Sequence, residues 1–291
     1  MIVSMSMKSF FKNLKVPYYF IRDKQEQYKI IVNKRPIIIL GNQKSGTTAI
    51  ANLLGIATRK EITGDIHVLH RNTPKNPTLK QDVFEEKKSL KELASNHPRY
   101  FNRKIIKEPI LTFHFELVRK LYPNAFFVFV IRDPRNNIRS ILDRLKIPGN
   151  LDRIGCNYID RIKEKNMTEW QFALEGKYPD ISGPDYISIL AKRWNYATNI
   201  YINNKSNFIL IKYEDFLKDK IGSIWEIAAK TDLGIKEDIS DKVDKQYQPL
   251  GNRSVNWIDF FGENNLRNIE LICSENMTNF NYKLCNRKSI N

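Results

Sequence analysis

The chain has 291 residues, 42% of them hydrophobic, and a formal net charge of +16. That is enough apolar material for one large α/β domain or two small ones, and a charge that favours anionic partners such as nucleotides, acidic glycans, nucleic acid or anionic lipid. Three cysteines, Cys156, Cys273 and Cys285, are odd in number and not at metal spacing, which argues against a disulfide framework and for a reducing, cytoplasmic setting.

Residues 1–35 form a basic, aromatic-containing lead-in with no period that decides its structure. It has scattered lysines and no clean apolar core or small-residue cleavage site, so it reads as neither signal peptide nor anchor. No apolar run anywhere approaches the length of a membrane span. Residues 36–291 read as a single α/β domain.

The stretch Pro36 to Leu54, PIIILGNQKSGTTAIANLL, is a short apolar run, a polar loop and a helix with Ala49, Ile50, Leu53 and Leu54 at helical spacing. Small residues let backbone approach a ligand, and amides opening a helix point at anions, so the loop is a phosphate cradle. The nucleoside-triphosphate version places Lys directly after its second Gly. Here Thr47 holds that place, and Lys44 lies three residues nearer the strand.

Beyond the cradle, GDIHVLH suggests a short extended piece and RNTPKNPTLK a loop, with a charged helix over Asp82 to Ala94. Lys104 to Lys107 is a second strand, and Phe113 to Leu121 a short helix. Ala125 to Ile131, AFFVFVI, is apolar enough to be a central parallel strand buried on both faces. It ends at Arg132-Asp133-Pro134, before a helix whose stripe is Ile138, Ile141, Leu142 and Leu145. Residues 146–185 show no sustained period and read as an excursion over one face. A long helix then carries Ile187 to Tyr201, FILIK at 208–212 is a fourth strand ending at Tyr213-Glu214-Asp215, and 222–231 is helical. The tail holds GNRSVNW in a loop and a last helix around Leu266 to Cys273. Strands alternating with helices predict a central parallel β-sheet flanked by helices, of the P-loop nucleotide-binding type.

Ligands of open α/β sheets sit beyond the C-terminal strand ends. The cradle, Lys107-Glu108, Arg132-Asp133 and Tyr213-Glu214-Asp215 all fall there. Ser140, eight residues after Arg132, projects away from the apolar stripe, and an Arg fork with a hydroxyl suits a phosphate monoester. A competing reading makes Asp133 the Mg²⁺ ligand of an ATP-dependent P-loop kinase. A third makes the chain a non-catalytic polyanion binder, although no nucleic-acid motif is present.

GNQKSGTT resembles the 5′-phosphosulfate loop of the sulfotransferases that use 3′-phosphoadenosine 5′-phosphosulfate (PAPS), and RDPRNNIRS their 3′-phosphate motif. WNYAT, IKYEDF, and GNRSVNW with NYKL resemble later segments of that family, in its order. The resemblance implies that Gln43, Lys44, Ser45, Gly46, Thr47 and Thr48 hold the 5′ end of PAPS. It implies that Arg132 and Ser140 hold the 3′-phosphate, that Arg253 closes over the nucleotide, and that Tyr213 approaches the adenine. Ala49 stands where cytosolic small-molecule members have an adenine-stacking Trp, and Lys107-Glu108-Pro109 replaces their Lys-x-His stretch. The chain is thus similar to carbohydrate-type and bacterial members, which implies a sugar hydroxyl or amine as acceptor, bound over residues 55–102 and 146–185.

By analogy with phosphoryl transfer, Lys44 neutralises charge on the leaving oxygen, so no metal is required. The acceptor needs a general base. Candidates are Asp65, His67, His70, His97, Glu108 and His114. Asp65 leads, because carbohydrate-type members carry a Glu at roughly that place, and His67 follows. Lys107 emerges from a strand end near the transferring group, where it can assist the leaving group.

Overall fold

A computed structural model describes residues 35–70, 89–165, 167–177, 180–247 and 255–285. In chain order, β1 (Ile37–Leu40) leads into α1 (Thr47–Thr58), followed by β2 (Ile62–Thr63) and α2 (His67–His70). Next come α3 (Leu90–Asn96), α4 (Pro98–Phe101) and β3 (Ile105–Lys107), then a 3-10 turn (Pro109–His114) and α5 (Phe115–Leu121). β4 (Phe126–Ile131) enters α6 (Pro134–Leu145), and α7 (Cys156–Glu164), α8 (Thr168–Glu175) and α9 (Tyr186–Asn203) follow. After a second 3-10 turn (Lys205–Asn207), β5 (Phe208–Lys212) precedes α10 (Tyr213–Lys218), α11 (Lys220–Lys230) and α12 (Trp257–Asn279).

The strands form one parallel sheet in the order β2-β3-β1-β4-β5, with Ile37 opposite both Ile105 and Phe126, and Phe127 opposite Phe208. β1 is therefore interior, and its four residues are wholly buried. Side chains alternate between the faces, as the two-residue period of a strand requires. Ile37, Ile39, Val128 and Val130 pack with Ile50, Leu53 and Leu54 of α1 and Ile224 and Ile227 of α11. Ile38, Leu40, Phe127, Phe129 and Ile131 pack on the other side with Ile138, Ile141 and Leu142 of α6 and with α9 and α12.

This division follows from topology. The chain leaves β1 toward one edge and β4 toward the other, and right-handed crossovers put such connections on opposite faces. A crevice opens where they part, at the C-terminal ends of β1 and β4, where such sheets bind ligands.

The expected strands sit within a residue of their predicted bounds. GDIHVLH is corrected: its HVLH part is the single turn α2, and the short extended piece is Ile62–Thr63 upstream. Residues 146–185 are corrected too, since α7 and α8 lie within them. The charged helix is observed as Leu90–Asn96, with Asp82 to Lys88 outside the described residues. α12 bends at Gly262, whose φ of 69° breaks the helical run.

Arg135, at the start of α6, joins this helix to the tail. Its guanidinium pairs with both carboxylate oxygens of Asp133, donates to Glu270 Oε1 at 2.7 Å and to the Lys283 carbonyl, and lies 3.9 Å from the Trp257 ring centroid. Arg135, Asp133 and Glu270 are nearly inaccessible to solvent. Removing the cation strands two buried carboxylates, a loss of about 3–5 kcal/mol for such networks. Arg135→Ala is therefore expected to lower unfolding stability in urea on that scale; a change below about 1 kcal/mol would show that the network does not hold the tail.

Candidate functional site

The loop after β1 is shaped by contacts that tolerate no side chain at two places. Gly41 has φ of 140°, and a Cβ there would stand 2.3 Å from the Val130 carbonyl oxygen. Gly46 has φ of 101°, and its Cβ would stand 2.2 Å from Cδ2 of Tyr213. Lys44 itself is left-handed, with φ of 67°, a costly conformation for a residue with a Cβ and one that this fold holds at the cradle.

Neighbours fix the loop from outside. Thr112 Oγ1 accepts from Gly41 N at 2.8 Å and donates to Gly41 O at 3.0 Å. Asn137 of α6 donates to the Gln43 carbonyl at 2.8 Å and to Ser45 Oγ at 3.1 Å, and accepts from Asn42 Nδ2. Arg132 donates to the Lys44 carbonyl at 3.0 Å, and its guanidinium lies 4.8 Å from the Tyr213 ring centroid. The first residues after β4 and β5, Arg132 and Tyr213, thus meet each other and the loop after β1.

Between them lies a cleft of about 260 Å³, lined by Lys44, Gly46 and Thr48 of the cradle, by Arg132 and Ser140, and by Tyr213. The sequence-predicted groups for the two ends of a bisphosphate nucleotide therefore face one space. Gln43, Ser45 and Thr47 do not line it. All three are buried, and Gln43 turns its side-chain oxygen to Arg193, 2.8 Å away.

Electrostatics single out Lys44. Burial, then the charges of Arg144 and Arg132, push its ammonium down to about 8 from an ordinary 10.5. A cation held in such company is one that a bound dianion would relieve. Arg139 also borders the cleft and donates to the Val255 carbonyl, while Asn136 Oδ1 accepts from Trp257 Nε1. The chain leaving residues 248–254 is thereby anchored on the helix that bears Ser140. Arg253 lies outside the described residues.

The base candidates separate clearly. Asp65, half-exposed, pairs with the buried Lys107 ammonium, and the charge of Lys107 reaches Lys44. Glu108 is wholly buried, with its oxygens accepting from Ile66 N at 2.8 Å and Ile110 N at 3.1 Å, so no acceptor reaches it. Burial drives His114 down to about 4 and lowers His97 as well. His67 opens α2, but its side chain and that of His70 lie outside the described residues.

Asp133 is not placed to hold a metal ion. One oxygen caps α6 by accepting from Arg135 N, and both accept from the Arg135 guanidinium. Glu214 takes Asp133 N and the Tyr282 hydroxyl. The carboxylates at these strand ends build structure.

Sequence reasoning missed Thr112, Asn137, Arg139 and Arg193. Asn137 and Arg139 lie in RDPRNNIRS, and their spacing from Ser140 on a helix was a usable signal; Thr112 and Arg193 carried none.

A parallel sheet with a phosphate-type loop after an interior strand and a second basic group after its neighbour is the arrangement of the P-loop nucleotide-binding α/β class. The family model for the sulfotransferase family matches residues 67–237, more than half of the chain, and the protein belongs to that family. The match begins after the cradle, whose likeness therefore rests on its own residues and geometry. A Caenorhabditis elegans protein named "Putative protein-tyrosine sulfotransferase" is 25% identical over 214 residues, 67% of this chain and 72% of that protein. A Caenorhabditis briggsae protein of the same name is 23% identical over 80% of this chain and 84% of its own length. The crystal structure of sulfotransferase STF9 from Mycobacterium avium superposes with a TM-score of 0.55 at 14% identity, covering 93% of this chain and 82% of that one, a likeness of fold.

Proposed function

We propose that the chain moves a sulfuryl group from PAPS to a hydroxyl or amine acceptor by in-line transfer. The observation that carries this reading is the single cleft shared by Lys44, Arg132 and Ser140, with Arg132 bonded to the Lys44 carbonyl. PAPS gives up its sulfuryl group as the bond to the 5′-phosphate oxygen breaks, and adenosine 3′,5′-bisphosphate leaves with phosphates at both ends of its ribose. Lys44 and the amides of residues 45–48 hold the 5′ end and its developing negative charge. Arg132 and Ser140 hold the 3′-phosphate. Tyr213, whose ring lies against Gly46 and Arg132, borders the adenosine. Arg253 closes the nucleotide site from the tail. Asp65 takes the acceptor proton, with Lys107 setting its orientation and adding positive charge near Lys44; His67 is the second choice for the base.

The kinase alternative loses its metal ligand, since Asp133 is committed to Arg135. The order of the cradle, with Lys44 before Gly46 and Thr47 where a nucleotide kinase has its Lys, points the same way.

For the acceptor we propose a sugar hydroxyl or amine. A tyrosine phenol is the second reading, favoured by the names of the two nematode relatives. Incubation with ³⁵S-labelled PAPS and either a glucosamine-containing oligosaccharide or a tyrosyl peptide separates them. Label on the oligosaccharide supports the first reading, label on the peptide the second, and label on neither removes both.

A further inference from the structure

We infer that Glu108 is a positioning residue for the transfer, fixing the main chain beside Asp65 through one buried carboxylate; the inference rests on the reading of Asp65 as base. Two consecutive residues at the end of β3 engage two consecutive residues after β2. Lys107 pairs with the Asp65 side chain, and Glu108 Oε2 accepts from Ile66 N at 2.8 Å. The main chain directly after Asp65 is thus tied down, and the Asp65 carboxylate is directed at Lys107.

The second oxygen of Glu108 serves the other side. Oε1 accepts from Ile110 N at 3.1 Å and opens the 3-10 turn Pro109–His114. Thr112 in that turn clamps both the amide and the carbonyl of Gly41. A single side chain with no solvent exposure therefore connects the base, the cation beside it and the first residue of the cradle.

The residue type is explained by acceptor count. Two backbone N–H groups converge on this side chain, and a carboxylate offers two acceptor oxygens. Glutamine offers one, and would set its NH₂ against an N–H donor. Burying the carboxylate is costly without such bonds, so apolar packing alone does not account for Glu108. Wholly buried, it acts on the transfer through Asp65.

The test is a double-mutant cycle on the full chain with Glu108→Gln, Asp65→Asn and the pair. Turnover is read with ³⁵S-labelled PAPS and whichever of the two acceptors above is labelled, and affinity with adenosine 3′,5′-bisphosphate. Glu108→Gln is expected to lower kcat about tenfold, the scale of one misplaced hydrogen bond, with bisphosphate affinity held within about twofold. The double variant should be no slower than Asp65→Asn, because both lose the same oriented base. Glu108→Asp, which keeps two acceptor oxygens, should fold and recover part of the rate, and serves if Glu108→Gln is unstable. Additive losses, or an unchanged kcat in Glu108→Gln, would overturn the inference. If Asp65→Asn retains full turnover, the base assignment falls instead.

Discussion

Lys44→Ala is expected to lower kcat for transfer from PAPS by about 100–1,000-fold, the effect of removing one preorganised donor from a developing anion. The side chain is the cradle's cation, it lines the cleft, and the loop backbone holds it in a left-handed conformation. The same group sets a pH dependence. Burial and neighbouring arginines bring its ammonium down to about 8, so in the free protein it is cationic below that pH. A bound dianion favours the cation and raises this value. Binding of adenosine 3′,5′-bisphosphate should therefore take up a proton above pH 8, and affinity should fall as pH rises. The stability of the free protein runs the other way. Its folded value lies below that of an unfolded lysine, so the unfolded chain holds more protons between about 8 and 10.5 and stability rises there. Calorimetry in buffers of different ionisation enthalpy reads the proton uptake directly. Turnover in Lys44→Ala within about threefold of wild type would remove the lysine from the mechanism.

Arg132→Ala should weaken adenosine 3′,5′-bisphosphate by about 10–100-fold, the range of a charge-assisted contact to a phosphate, while leaving 5′-AMP nearly unchanged. The contrast matters because Arg132 also steadies the loop, through the Lys44 carbonyl, and faces Tyr213. A variant that only loosened the loop would lose both nucleotides alike. Equal losses would contradict a 3′-phosphate role. Ser140→Ala should move the same ratio by a smaller amount, and Arg132→Lys should recover it incompletely, since an ammonium lacks the planar fork.

The sheet was readable wherever burial on both faces left an apolar run, as in FFVFVI and FILIK. Ile62–Thr63 escaped because two residues pair along one edge and have no period of their own. α7 and α8 were missed for a different reason: among the described residues of α7 Ile162 alone is fully buried, so its stripe is short. The cradle and the Arg132–Ser140 pair are local in sequence, and their chemistry showed in their order. The Asp65–Lys107 pair spans 42 positions, as does the bond from Ile66 N to Glu108, and such partners become visible only when β2 and β3 lie side by side. Asp133 was open to two readings until Arg135 and Glu270 supplied its surroundings. The partner of Gln43 was equally hidden, since its side-chain oxygen accepts from Arg193, 150 positions away.

Direct calorimetric titration of the wild-type chain with adenosine 3′,5′-bisphosphate, 5′-AMP and ATP–Mg²⁺ tests the two-ended nucleotide clasp. The bisphosphate should bind more tightly than either competitor by about 100-fold, or about 2.7 kcal/mol. Preference for ATP–Mg²⁺, or indifference to the 3′-phosphate, would contradict it.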